Sequence, residues 1–428
     1  MQIITRKKNQ LMAGDAVFRF AGPNIYWLGL DENVGGINYP TSFRVENVLD
    51  TAKEMGANVI RSHTLGVSAG HPLSIQPELG HFNEAALQHV DYVLSELKKR
   101  ELRVIIPLVD NWNYYHGGRQ TYTDWLGLDK ATAFYHSQAA IDAFKRHIQT
   151  LINRKNTVTG EWYRDDPTIM AWEVGNELND APKNWVEDIC LFIKQLDNKH
   201  LVGFGKQFQL DQDKLTIESL DFIDVHYYPA NAEAMKADAA AAATHGKVYI
   251  AGEFDWKPTE AKAFLEEAER NENVSGTCYW SLFGHADEAG YVQHFDSFSL
   301  HYPSVQTEAL KAKQIQLLRQ HAFTMAGQEP RNHEIPDAPS LHHRDGNISW
   351  QGVVGAACYT IEATDELEGE WFVICDSFVS DHQPCWQDSS RDYARDRWYR
   401  MRALNVNGEP GPYSAPLKSQ AYALAVSL

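Results

Sequence analysis

Residues 83–112 read NEAALQHVDYVLSELKKRELRVIIPLVDNW. In the first half Leu87, Val90, Val93, Leu94 and Leu97 recur at three- and four-residue spacing, as one face of an amphipathic helix does, and the basic turn Lys98-Lys99-Arg100 closes it. The second half, Arg103 to Val109, is a short apolar run suited to a buried strand, and it stops at the polar trio Asp110, Asn111 and Trp112. This is one unit of a parallel β/α architecture, because parallel strands need a long crossover, usually helical, between them.

The same unit recurs on both sides. Further strand candidates are Phe20 to Trp27, Asn58 to His63, Ile169 to Val174, Leu201 to Gly205, Phe222 to His226, Val248 to Phe254 and Ser275 to Leu282. Helical periodicity lies between them, as in SFRVENVLDTAKEMG, where Val45, Val48, Leu49, Ala52 and Met55 share a face. Eight strand and helix pairs over roughly 250 to 330 residues predict an α/β fold of the (β/α)8 TIM-barrel type. The competing doubly wound sheet lacks support, since no glycine fingerprint follows the first strand and no P-loop occurs.

The chain of 428 residues is long enough for this domain and a companion. Composition shifts after Ala326, where GQEPRNHEIPDAP is polar and proline-bearing. The expected division is therefore a barrel over 1–326, a linker over 327–338 and an all-β unit over 339–428, whose runs alternate apolar and polar residues. In that last unit Trp350, the strand YTIEA and the run WYRMRALNVNGEPGPYS resemble a fibronectin type III domain, which implies a C-terminal β-sandwich.

A formal charge of −18 disfavours nucleic acid and anionic membranes as partners, and a neutral ligand suits the chain better. No run approaches the length of a membrane span, and the N-terminus lacks the apolar core of a signal peptide. The expected location is the cytoplasm, or outside the cell if a leader has been removed. The five cysteines show no CxxC spacing and are expected to be free, with a Cys375–Cys385 bridge as the alternative.

In such a barrel, function gathers at the C-terminal ends of the strands. Polar residues do cluster there: Asn24 and Tyr26, Arg61 and His63, Asp110 to Trp112, Asn176 and Glu177, His226 and Tyr228, Glu253, and Trp280. Two carboxylates among Asn, His, Tyr, Arg and Trp suit glycoside hydrolysis, in which one acid protonates the leaving oxygen while the other attacks or activates water. Trp faces stack on sugar rings.

The motifs IMAWEVGNEL, FIDVHYYP, VYIAGEFDW and GTCYWSLFG, in that order, resemble the retaining glycoside hydrolases of family 5, over most of residues 15–325. The resemblance implies Glu177 as acid/base, preceded by Asn176, and Glu253 as nucleophile. It further implies Arg61 as the nucleophile's support, His226 and Tyr228 as the strand-six pair, and Trp280 as the platform under the cleaved sugar. Asn111 and Trp112 complete the expected substrate contacts, with no metal and no cofactor. The family's usual Asn-Glu-Pro is altered here, Leu178 standing where proline is common.

Double displacement would set the two carboxyls about 5 to 5.5 Å apart. A nearby anionic Glu253 would favour a protonated Glu177, and Arg61 and Tyr228 would keep Glu253 ionised. The segments PNIYW, GINYPTSFRVENVLDTAKEMGANVIRSHT and GYVQHFDSFSLHYP look nearest to the mannan-active branch, implying a β-mannosidase or β-1,4-mannanase. β-Glucans and other β-glycosides are the alternative substrates. Two other classes stay open: a metal hydrolase using His63, Asp110, His116, His226 and His285, and a sugar-binding barrel without catalysis. His63 is as much a barrel-top plug as a substrate contact. The loop bearing Trp112 and Trp125 either lines sugar subsites or packs on itself, and His285, Asp287 and His294 either line the mouth or only order their own loop, the latter being favoured. Glu173, four residues before Glu177, reads as a structural acid deep in the barrel or, if a bulge shifts the phase, against the helices, with Arg61 a candidate partner.

Overall fold

The computed structural model describes residues 1–303, 309–390 and 396–419. Eight parallel strands form its centre: Phe20–Pro23, Val59–Arg61, Arg103–Pro107, Ile169–Glu173, Leu201–Gln207, Phe222–Tyr227, Val248–Asp255 and Val274–Trp280. They pair in the ring order one, eight, seven, six, five, four, three, two. The remaining gap, between the first and second, is bridged where the Ile25 amide donates to the Arg61 carbonyl at 3.0 Å. This is the ring expected of a (β/α)8 barrel. Each strand lies within a few residues of its candidate run.

The helices follow the apolar spacing. Ser42–Glu54 and Glu84–Lys99 are capped by Thr41 and Asn83, whose side chains accept from the backbone N–H groups of Arg44 and Ala85. The eightfold helix expectation fails between strands five and six, where the connection carries only the 3₁₀ turn Lys214–Thr216. Strand-to-strand distance there spans 14 residues, too short for a full helix with two loops. An N-terminal antiparallel sheet, Ile4–Lys7, Gln10–Ala13 and Ala16–Phe18, has no counterpart in the sequence reading. Its Ile4 and Leu11 are buried in one apolar cluster with Phe20, Val59 and Ile105, so it closes one end of the barrel.

Beyond the barrel, Ser340–Arg344, Asn347–Gln351 and Cys385–Trp386 form one antiparallel sheet, and Phe372–Val379, Cys358–Thr364, Trp398–Leu404 and Leu417–Lys418 form another. Trp350 of the first packs on Tyr359 of the second, within a core that includes Ile361, Met401 and Ala403. This unit is tied to the barrel by a buried knot. Asp381 accepts from the Trp350 indole at 2.8 Å and the Tyr359 hydroxyl at 2.7 Å, and lies 3.0 Å from His285, whose other ring nitrogen meets Asn47. The connecting stretch is packed as well, since Arg319 donates to the Arg331 carbonyl and His333 meets Glu54. All five cysteines are free, so the alternative Cys375–Cys385 bridge is absent. No described helix is long and apolar enough to cross a membrane.

Candidate active site

A cavity of about 330 Å³ opens at the C-terminal ends of the strands, lined by residues from all eight strand ends and the loops beyond them. Its floor is organised by Arg61, which is wholly buried. A guanidinium has five N–H donors in a fixed fork, and all five are used. Nε and Nη2 grip the two oxygens of Glu173 at 2.9 Å each, and Nη2 also reaches Asn176 Oδ1 at 2.9 Å. Nη1 donates to Glu253 at 2.7 Å and to Asn24 at 3.2 Å, while Asp224 lies 3.3 Å from Nε.

Two glycines make room for this network. A Cβ on Gly205 would lie 2.2 Å from the Glu173 carboxylate, and one on Gly252 would lie 1.9 Å from that of Asp224. Glu173 is thus a structural acid at full burial, with Arg61 as its partner. Burial pushes its carboxyl up to about 7, and Arg61 offsets only part of that.

Glu253 owes its inward direction to a β-bulge. Opposite strand six, Ile250 pairs with Asp224 and Glu253 with His226, three residues against two. Simple alternation from Val248 and Ile250 would have turned residue 252 inward, and the extra residue shifts the phase by one. Its Oε2 accepts from the Tyr228 hydroxyl at 2.8 Å. Burial would raise the Glu253 carboxyl, but His226, His63 and Arg61 outweigh it and hold the group well below the usual carboxylate range. His226 answers in kind: burial disfavours its charge, yet Glu253, Asp224 and Glu177 push it well above 6.5. His63, 3.5 Å from Glu253, is shifted down by burial.

Glu177 sits just past strand four in the left-handed region, φ 51°, a conformation that costs a non-glycine residue roughly 1–2 kcal/mol. Neighbouring backbone bonds hold it: the Asn176 amide donates to Val109 and the Leu178 amide to Gly205. Proline at 178 could not make that last bond. The Glu177 carboxylate accepts from the Trp112 indole at 2.5 Å and lies 2.9 Å from His226 Nδ1. One of its oxygens and one of Glu253's come within 4.8 Å of each other.

Trp280 faces the cavity, stacked on Tyr26 at 5.0 Å and bonded through its indole to Asp296 at 3.0 Å. The structure therefore gathers Glu177, Glu253, Trp112, Asn176, His226, Tyr228, Trp280 and Arg61 around one space. Asn111 stands apart: its amide pairs with the Asn176 carbonyl and its side chain does not line the cavity. Its neighbour Asp110 does, accepting from Asn176 Nδ2 at 3.1 Å and facing His116. Trp125 packs on Tyr122, away from the site. His285 and Asp287 lie toward the C-terminal unit, Asp287 bonding Thr41 and receiving Gln351, whereas His294 does both things considered for it, pairing with Asp296 of its own loop and lining the cavity. The sequence reading also missed Gln207, because it ended strand five two residues early, and Glu32, Tyr114 and Phe295, which sit on loops without periodicity.

The proposed metal set does not assemble, since His285 is at the domain junction. Glu177, His226 and Glu253 converge closely enough to ligate a cation, but the guanidinium on Glu253 already supplies a fixed positive charge there.

The Glu253 shift has a measurable consequence. A carboxyl held below its unfolded value stabilises the fold above that value, near 4.5, and the contribution fades as pH falls further. Thermal melts should show the wild type losing Tm faster than Glu253→Gln between about pH 4.5 and pH 3. Parallel curves would remove the electrostatic account of Glu253.

Comparison with known proteins agrees with this fold. The family model described as "GH family 5 beta-mannosidase-like" matches residues 1–270. Among relatives, the chain is 33% identical over 213 residues to mannan endo-1,4-beta-mannosidase 1 of Arabidopsis thaliana, covering 43% of this chain and 51% of that protein. It is 31% identical over 268 residues to mannan endo-1,4-beta-mannosidase 2 of Oryza sativa subsp. japonica, covering 54% and 59%. The chain thus matches little more than half the length of these curated relatives. In fold, it resembles the endo-1,4-beta-mannanase of Rhizomucor miehei with a TM-score of 0.64 at 22% identity, over 76% of this chain and all of that one. The endo-beta-1,4-mannanase of Thermotoga petrophila aligns with 94% of this chain and 98% of its own, TM-score 0.63, identity 21%. The chain belongs to the β-mannosidase-like group of glycoside hydrolase family 5.

Proposed function

We propose that this protein hydrolyses β-mannosidic bonds by double displacement, with Glu253 as nucleophile and Glu177 as acid/base. The observation that carries the reading is the close pair of carboxylates, one of them held ionised by Arg61, Tyr228 and His226. Oxygens within 4.8 Å suit direct attack on the anomeric carbon, whereas an inverting pair stands about 6.5–9.5 Å apart to admit water.

In this reading the sugar lies on Trp280 and Glu253 attacks its anomeric carbon. The C–O bond to the leaving group breaks as Glu177 passes its proton to that oxygen. Glu177 then takes a proton from water, whose oxygen displaces Glu253 and restores the carboxylate. Asn176, fixed by Arg61 and Asp110, is oriented to bond a sugar hydroxyl near the reacting carbon. Trp112 holds Glu177 on the leaving-group side. The names of the relatives favour mannose among β-linked sugars. The C-terminal sheets fit a fibronectin type III-like sandwich, and such a module acts as a spacer or docking surface more often than as a sugar binder.

The test is a panel of aryl β-glycosides. Mannosides should be cleaved in preference to glucosides and xylosides, and absence of turnover on every one would refute the reading. In Glu177→Ala, an aryl mannoside with an acidic phenol needs little protonation and should retain much of its first-step rate, while mannobiose hydrolysis should fall by about 10²–10⁴-fold. Equal losses on both substrates would contradict the acid's role.

A further inference from the structure

The cavity is asymmetric about Glu177. Strand four, just past which that residue sits, lies opposite strand eight in the ring. On its own side the wall is low and open, formed by Trp112 and Tyr114, which are 38% and 56% exposed. On the opposite side, residues 293–299 run across the mouth and are pinned at several points. The Phe298 carbonyl accepts from the Trp256 indole at 2.9 Å and from the Ser281 amide at 3.3 Å. The Phe298 ring packs on Tyr228 and under Lys257, reaching back over strands six and seven. At the other end His294 lies edge-on to Tyr26, pairs with Asp296 at 2.9 Å, and faces Glu32 of the loop after strand one at 3.8 Å.

The chemistry orients a substrate in this space. The glycosidic oxygen must lie beside Glu177, so the leaving part of the sugar chain departs over Trp112 and Tyr114. The far end of the cleaved sugar, which bears the 4-hydroxyl, points the other way. There it meets Glu32, His294 and Asp296, all lining the cavity. A carboxylate accepts from a hydroxyl and an imidazole can donate to one, so these groups suit a free terminal sugar better than a glycosidic ether. A volume of about 330 Å³ is also at the lower end of the roughly 300–1,000 Å³ of ligand pockets.

We infer that the strap of residues 293–299, braced against Glu32, ends the cleft after a single sugar, so that the enzyme removes mannose units one at a time from non-reducing ends. Glu32, His294 and Asp296 are its specificity-determining residues. This rests on the proposed assignment of Glu177 as the acid.

The experiment is a time course of the wild-type protein on borohydride-reduced β-1,4-mannopentaose, with and without methylation of the non-reducing 4-hydroxyl. Mannose and mannotetraitol should be the only early products, and the methylated substrate should be cleaved at least tenfold more slowly, the cost of one or more lost hydrogen bonds. Mannobiose or mannotriose as a first product, or equal rates on both substrates, would overturn the inference while leaving β-mannoside hydrolysis intact. No cleavage of any β-mannoside would instead overturn the proposed function and this inference with it. In Glu32→Ala and His294→Ala, kcat/KM on the free pentaitol should fall and the preference for it over the methylated form should shrink. An unchanged preference in both folded variants would contradict their role.

Discussion

Glu253→Ala should lower turnover of an aryl β-mannoside by about 10⁴-fold or more, because in the proposed double displacement no other group is placed to form the covalent intermediate. Arg61, Tyr228 and His226 all converge on this carboxylate, and His63 lies beside it. None of them is a nucleophile placed toward the sugar. Truncation leaves a small space on the attacking face, lined by positive groups that will accept an anion. Added azide should enter it and attack the anomeric carbon once, giving an α-mannosyl azide because the second displacement never occurs. A β-azide, or activity within tenfold of wild type, would show that Glu253 is not the nucleophile.

Arg61→Met should destabilise the protein by about 3–5 kcal/mol in denaturant unfolding, the usual cost of removing one partner from a buried charge network. Arg61 is fully buried, as are Glu173 and Asp224 around it, and Glu253 is nearly so. Without the guanidinium, Glu173 and Asp224 are left in a region that cannot hydrate them, and Glu253 at the cavity loses its fixed counter-charge. Arg61→Lys keeps the charge but has only three donors from a single nitrogen, so it should recover part of the stability and little of the activity. A loss below about 1 kcal/mol in Arg61→Met would mean the network is solvated, as surface pairs are.

The barrel was legible because its strands are buried on both faces, and such strands read as continuous apolar runs. The helices were legible where periodicity was clean, as in Glu84–Lys99. Strand-end polarity pointed to Glu177, Glu253, Arg61 and Trp280 for a physical reason: a charged or polar side chain after an apolar run has few places to go except the mouth. What remained hidden depends on geometry that composition does not encode. The bulge that turns Glu253 inward is a mismatch of register between two strands. The clearance that Gly205 and Gly252 give to Glu173 and Asp224 is set by a neighbouring strand in each case. Asp110 rather than Asn111 lines the site because the backbone pairing of Asn111 with Asn176 turns its side chain elsewhere. That His294 lines the cavity as well as ordering its loop could not be decided from sequence, because its further partners, Glu32 and Tyr26, come from the loop and strand end at the other extreme of the barrel sequence.

The most direct test of double displacement at a β-mannoside is the anomeric form of the first mannose released, followed by proton NMR before mutarotation. Two successive inversions at the anomeric carbon predict β-mannose first, with the α form growing in later. α-Mannose as the initial product would mean a single displacement by water, and Glu253 would then be a base rather than a nucleophile.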